Sequence, residues 1–159
     1  MTISSKPDSA TAPEIVASYT ATRHQPAWFS HILLVDGSGV SRAHAESALT
    51  EVAQAGQFVF IDVALDASSA MELASDTAYD LVIIDAHLAG AQALSLCRQL
   101  KQLETPPHIL VLDESLSRAR VREGKLAGCD NYLAKPAHAS DLQSLLRLLA
   151  LRKQRAHLG

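Results

Sequence analysis

Cysteine is nearly missing from this chain: Cys97 and Cys129 are its only two thiols in 159 residues. Their separation matches no metal-ligand spacing. One falls on an expected helix and the other in a loop, so both read as reduced thiols, not a disulfide framework or a zinc site. Aromatic residues are scarce at 4%, while the apolar fraction of 48% is ordinary for a globular protein. No apolar run approaches the roughly 18 to 20 residues that span a bilayer. The opening residues lack the charged and apolar blocks of a secretory signal. The formal net charge of -3 argues against a dedicated nucleic-acid surface. No two histidines stand at metal-ligand spacing on one helix, which argues against a transition-metal site. Neither a nucleophile–base pair nor a nucleotide-binding glycine loop is present, so intrinsic enzyme activity is not expected. These absences together predict a cytoplasmic protein with no membrane partner and no direct nucleic-acid partner.

What is present has a clear order. The length suits one domain with a real core and some spare chain. Residues 1–30 form an arm rich in Ser, Thr, Ala and Pro, with Pro7, Pro13 and Pro26 along it. It is expected to be flexible, with a short helical stretch around Pro13 to Thr22. Trp28 and Phe29 are its exception, two large aromatics expected to dock on the domain or on a partner. From His31 apolar runs alternate with helical periods. Strands are predicted at 31–36, 58–63, 80–85, 108–112 and 131–134. Helices are predicted at 40–54, 67–76, 91–103, 116–127 and 139–153. Asp66 is expected to cap the second helix and Ser140 the fifth, while Gly128 stops the fourth. Residues 154–159 are left as a short basic tail. Strict βα alternation with continuously apolar strands calls for an α/β fold, a parallel sheet covered on both faces.

Three apolar strands end in charge. Ile32-Leu33-Leu34-Val35 ends at Asp36, Leu81-Val82-Ile83-Ile84 at Asp85, and Tyr132-Leu133-Ala134 at Lys135-Pro136. The carboxyl edge of an open parallel sheet is where such folds place their chemistry. Neighbouring carboxylates repel unless a cation lies between them, and hard oxygen ligands suit Mg²⁺. A carboxylate, a divalent ion and a lysine would form a site where the carboxylate attacks phosphorus. The alternative is that these acids are helix caps.

Residues 31–153 resemble the receiver domain of two-component response regulators, the family of the chemotaxis response regulator. Ile32-Leu33-Leu34-Val35-Asp36-Gly37-Ser38 resembles the family's first strand with its acidic pair, with Arg42 at the expected place in the first helix. Tyr79-Asp80-Leu81-Val82-Ile83-Ile84-Asp85 resembles its phosphoacceptor strand. Gly128-Cys129-Asp130-Asn131-Tyr132-Leu133-Ala134-Lys135-Pro136 resembles its Lys-Pro motif, in which the bond before proline is cis. The resemblance implies a flavodoxin-like, doubly wound five-stranded sheet in the order 2-1-3-4-5. It implies Asp85 as phosphoacceptor, Asp36 as a metal-pocket acid and Lys135 as the phosphate-pairing lysine. The His87 backbone carbonyl becomes a third ligand for a weakly held Mg²⁺. A histidine kinase or phosphotransfer protein follows as partner.

The chain also departs from that pattern. Gly37 replaces one of the two acids, and an acid restored there is expected to strengthen metal binding. Asp113 stands at the position where the family has Thr or Ser. An ionised carboxylate there can donate no hydrogen bond and repels a phosphoryl group. Two readings stay open. Either Asp113 or water replaces the lost metal acid and Asp85 still accepts phosphate, or the domain is a degenerate receiver with Lys135 held by Asp85, Asp36 or Asp113. In the second case the Tyr132 hydroxyl is expected to form a fixed hydrogen bond to Asp113. Leu148 and Leu151 widen the apolar surface of the fifth helix beyond one face. Arg118, Arg120 and Arg122 make the fourth helix basic, with Arg147 on the fifth. The expected output is therefore docking or dimerisation through the face formed by helix four, strand five and helix five. No output domain follows Leu151, so a stand-alone receiver is expected. The alternatives are a phosphorylation-independent interaction module, or the input domain of a larger regulator such as a cyclic-dinucleotide enzyme.

Overall fold

A computed structural model describes residues 30–56 and 59–158. The expected arm, Trp28, Phe29 and Phe58 lie outside the described residues. Five strands, β1 (Ser30–Val35), β2 (Val59–Ala64), β3 (Leu81–Asp85), β4 (His108–Asp113) and β5 (Asn131–Ala134), form one parallel sheet in the order β2-β1-β3-β4-β5. The helices between and after them are α1 (Gly39–Gln54), α2 (Ala67–Asp76), α3 (Ala93–Lys101), α4 (Arg118–Ala127) and α5 (Ala139–Leu158). No helix of the described residues is long and apolar enough to cross a membrane.

Alternation along each strand divides the core in two. Ile32 and Leu34 of β1, Leu81 and Ile83 of β3, and Leu110 and Leu112 of β4 pack beneath α1 and α5. Leu33, Val35, Val82, Ile84, Ile109 and Val111 point the other way and meet α2, α3 and α4. Because both faces are covered, these strands are continuously apolar between their ends, Ile32–Val35, Leu81–Ile84 and Ile109–Leu112. Each buried aliphatic side chain stabilises the fold by about 1.5–3 kcal/mol.

Helix ends follow local chemistry. Ser38, Asp66 and Ser117 each accept from the backbone N–H three residues on, and so cap α1, α2 and α4. Gly128 closes α4 in the left-handed region, with φ 109°. Ser140 does not cap α5. That helix starts one residue earlier, at Ala139, and the His138 carbonyl accepts from Leu142 N–H at 3.2 Å. The fourth helix likewise begins at Arg118, because Ser117 is spent as its cap. The third begins at Ala93, not at 91. Gly90 and Ala91 have positive φ and form a short 3₁₀ turn before it. At the far end α5 runs past Lys153 to Leu158, so the basic residues there are its last turns.

Candidate functional site

The carboxyl edge of the sheet gathers three acids. Asp36 follows β1, Asp85 ends β3 and Asp113 ends β4, at 2%, 5% and 0% exposure. Each sits where an apolar strand stops, so burial comes from the flanking strands and charge from the final residue. A buried carboxylate needs partners, and each of these has found different ones.

Asp85 Oδ1 lies 2.7 Å from Lys135 Nζ and also accepts the His87 N–H at 3.1 Å. Lys135 is brought there by β5 and by a cis bond to Pro136, as the resemblance implied. Lys135 N–H donates to the Asp113 carbonyl at 3.0 Å, which ties the end of β5 to the end of β4. The cleft above has a volume of about 530 Å³, lined by Ser41, His44, Asp85, His87, Glu114 and Lys135 among others.

Asp36 bonds to the start of α1, not to Lys135. Its Oδ1 accepts Ser38 N–H at 2.8 Å and its Oδ2 accepts the Ser41 hydroxyl at 2.6 Å. Its carboxylate thus organises the start of α1. The cap reading of a strand-end acid therefore describes Asp36 better than Asp85. Arg42, also on α1, donates to the Asp36 carbonyl at 3.3 Å.

Asp113 is the most heavily engaged of the three. Oδ1 accepts Ser115 N–H at 2.9 Å and faces His87 Nε2 at 3.1 Å. Oδ2 accepts Arg120 Nε at 2.6 Å and the Tyr132 hydroxyl at 2.5 Å. Burial pushes the Asp113 carboxyl up, but the Arg120, Tyr132 and Ser115 hydrogen bonds and the Arg120 charge outweigh it and hold the carboxyl down to about 2. Tyr132 is pushed up to about 12, first by burial and then by its bond to Asp113 and that residue's charge. The sequence alone placed Arg120 with Arg118 and Arg122 on a solvated basic face; instead it turns inward to Asp113. The only signal for it was distance along the chain, seven residues after an acid whose charge had no visible partner.

The residues present do not fit a chelated Mg²⁺. Among the described residues no three carboxylate, imidazole or thiol groups surround one point that could hold an ion. Each Asp36 oxygen already accepts one hydrogen bond at the start of α1, and Gly37 offers no side-chain ligand. A Cβ on Gly37 would stand 2.8 Å from the Leu65 carbonyl oxygen, so that position resists any side chain, an acid included. Of the protein ligands expected, Asp85 and His87 line the cleft and Asp36 is not among its lining residues.

Comparisons with known proteins agree on the family and the fold. The model of the response regulator receiver domain matches residues 32–147. Among curated relatives, the response regulator ArlR of Staphylococcus saprophyticus is 30% identical over 98 residues, 62% of this chain and 44% of that protein. The two-component response regulator PhoP of Pseudomonas aeruginosa is 31% identical over 121 residues, 76% of this chain and 52% of its own. The chain thus spans about half the length of the curated relatives it matches. Among solved structures, the receiver domain of a sensor histidine kinase from Pseudomonas aeruginosa has a magnesium ion coordinated in its active-site cleft. It superposes with a TM-score of 0.66 at 24% identity, covering 76% of this chain and 97% of that one. A Burkholderia pseudomallei response regulator with a phosphorylated aspartic acid, a calcium ion and citrate gives a TM-score of 0.64 at 26% identity. It covers 80% of this chain and 72% of its own.

Proposed function

The chain belongs to the response regulator receiver domain family, and from that premise we propose that it is an atypical receiver whose phosphoacceptor is Asp85 and whose phosphorylation is weak or absent. Receivers are signalling modules of two-component systems, not enzymes. The observation that carries the reading is the contrast between two buried strand-end acids. Asp85 faces the cleft with Lys135 at 2.7 Å, the pairing a phosphoryl acceptor needs to neutralise incoming charge. Asp113, at the neighbouring strand end, is an ionised carboxylate fixed by four donors. It offers an arriving phosphoryl group repulsion instead of a hydroxyl hydrogen bond. With Asp36 bonded at the start of α1 and no side chain at Gly37, the site has little with which to hold Mg²⁺. A histidine kinase or phosphotransfer protein is the proposed donor, and output is contact through the face of α4, β5 and α5.

The four-donor arrangement around Asp113 also supports a second reading, a receiver-like interaction module that signals without phosphate. One experiment separates the two. Incubation with acetyl phosphate and Mg²⁺, followed by intact-mass and peptide mass spectrometry, should show a small fraction of phosphate on Asp85. Complete absence of label, in a folded protein and beside a labelled control receiver, would favour the module. Stoichiometric label would refute the weak-acceptor reading.

A further inference from the structure

We infer that Arg120, Tyr132 and Asp113 form a latch that holds α4 against β5 whatever the chemical state of Asp85, with Gly124 shaped to admit it. The inference rests on the receiver reading of this site and concerns its regulation. It does not require that Asp85 ever take a phosphoryl group.

Four elements converge on one carboxylate. Arg120 comes from α4, Tyr132 from β5, His87 from the loop after β3, and Ser115 from the loop before α4. Asp113 itself is 0% exposed. An ionised carboxylate only accepts, so its two oxygens are saturated by these four donors, and loss of one leaves buried charge short of a partner. The His87 contact requires the proton on Nε2.

Gly124 supplies the second, independent observation. It lies inside α4 and is buried, where glycine is less favourable than alanine. A Cβ at Gly124 would stand 2.6 and 2.7 Å from Cδ2 and Cε2 of Tyr132, and 3.2 Å from Cys129 Sγ. The ring therefore fills the hollow a side chain would occupy. Its Cδ2–Cε2 side lies against the helix at Gly124, and its hydroxyl reaches the same carboxylate that Arg120 grips from that helix. α4 is fixed twice, through a ring at Gly124 and a guanidinium at Arg120, one turn apart.

Two residues connect Asp85 to Asp113. His87 puts its backbone N–H on the Asp85 carboxylate and its ring on the Asp113 carboxylate, and Lys135 puts Nζ on Asp85 and its N–H on the Asp113 backbone carbonyl. Arg120 and Tyr132 hold Asp113 without touching Asp85. A change at Asp85 can therefore release one of Asp113's donors and leave the two that belong to α4 and β5.

The test is amide hydrogen exchange of the full chain, read over α4 with β1 and β3 as internal controls. Asp85→Asn should leave α4 exchange within about twofold of the parent, whereas Arg120→Gln and Gly124→Ala should each speed it by about tenfold or more. Arg120 is part exposed, so its variant is expected to fold even if Gly124→Ala does not. In that event Gly124→Ala combined with Tyr132→Ala should restore folding, because the ring is what the new methyl meets. If Asp85→Asn loosens α4 as much as Arg120→Gln does, the latch is wrong. It is equally wrong if Arg120→Gln leaves α4 unchanged. Acyl-phosphate labelling is scored separately. No label with a tight α4 removes Asp85 as acceptor and keeps the latch; label that accelerates α4 exchange keeps the acceptor and removes the latch.

Discussion

At the scale of the residue, Asp113 decides the behaviour of the site. Its carboxyl is held down to about 2 against an unfolded value near 3.9. A depressed acid contributes stability that is present above its unfolded pKa and lost as pH falls through the folded one. Thermal melts should therefore lose stability between about pH 4 and about pH 2, and Asp113→Asn should flatten that slope. An equally steep acid limb in the variant would assign the loss to other carboxylates. The same variant should bring the Tyr132 phenol down from about 12 toward the ordinary tyrosine value, as read by ultraviolet absorbance during an alkaline titration. Asp113→Thr goes further, exchanging an acceptor-only group for one that can donate. It should raise acetyl-phosphate labelling of Asp85, and an unchanged yield in a folded variant would mean that charge repulsion is not the block. Gly37 calls for a different expectation from the one its sequence suggests. Restoring an acid there forces a Cβ to within 2.8 Å of the Leu65 carbonyl oxygen, a backbone atom that cannot rotate aside. Overpacking of this type costs about 1–3 kcal/mol. Gly37→Asp should lower the melting midpoint, with little gain in Mg²⁺ affinity by calorimetric titration. A stable variant with clearly tighter Mg²⁺ binding would show that the β2–α2 loop yields easily.

At the scale of the element, the strands and their ends were readable because burial on both faces leaves almost no other residue that could end them. The run from Leu81 to Ile84 is fully buried, and Asp85 is the first residue free to carry charge. Helix termini were less legible. An acid or hydroxyl near a predicted start can be the cap or can sit inside the first turn. Asp66 proved to be the cap, whereas Ser140 lies within α5. The tertiary partners of long side chains were least legible of all. Arg118, Arg120 and Arg122 look alike in a list, but α4 turns about 100° per residue, so Arg118 and Arg122 share one side and Arg120 points to the other, toward the end of β4. Which one depends on where Ser117 starts the helix. Gly124 was silent for the same reason. A mid-helix glycine reads as a weak point until the ring that needs its space is found 2.6 Å from where a Cβ would stand.

At the scale of the whole molecule, the carboxyl edge faces one way and the apolar surplus another. Leu142 and Leu146 of α5 are buried against α1, while Leu148 and Leu151 are 45% and 46% exposed. Leu116 and Leu126, flanking and ending α4, are 48% and 79% exposed. Arg118 and Arg122 on α4 and Arg147 on α5 are exposed as well. Apolar area at the centre with cations at the edge is how protein interfaces are commonly composed. Covering the exposed half of one such leucine is worth roughly half the 1.5–3 kcal/mol of full burial, so two together can decide whether a weak complex forms. Nothing in the core depends on Leu148 or Leu151, and charge placed there should not unfold the domain. The double variant Leu148→Glu, Leu151→Glu is therefore expected to weaken self-association or partner docking by about tenfold or more at unchanged circular dichroism. Light scattering at matched concentrations reads the first, and titration with the partner reads the second. If α4 is latched, the loss should be the same with and without acetyl phosphate, because the face is presented in either state. A parent that stays monomeric, together with a variant that binds the partner as tightly as the parent, would show that these leucines serve no contact.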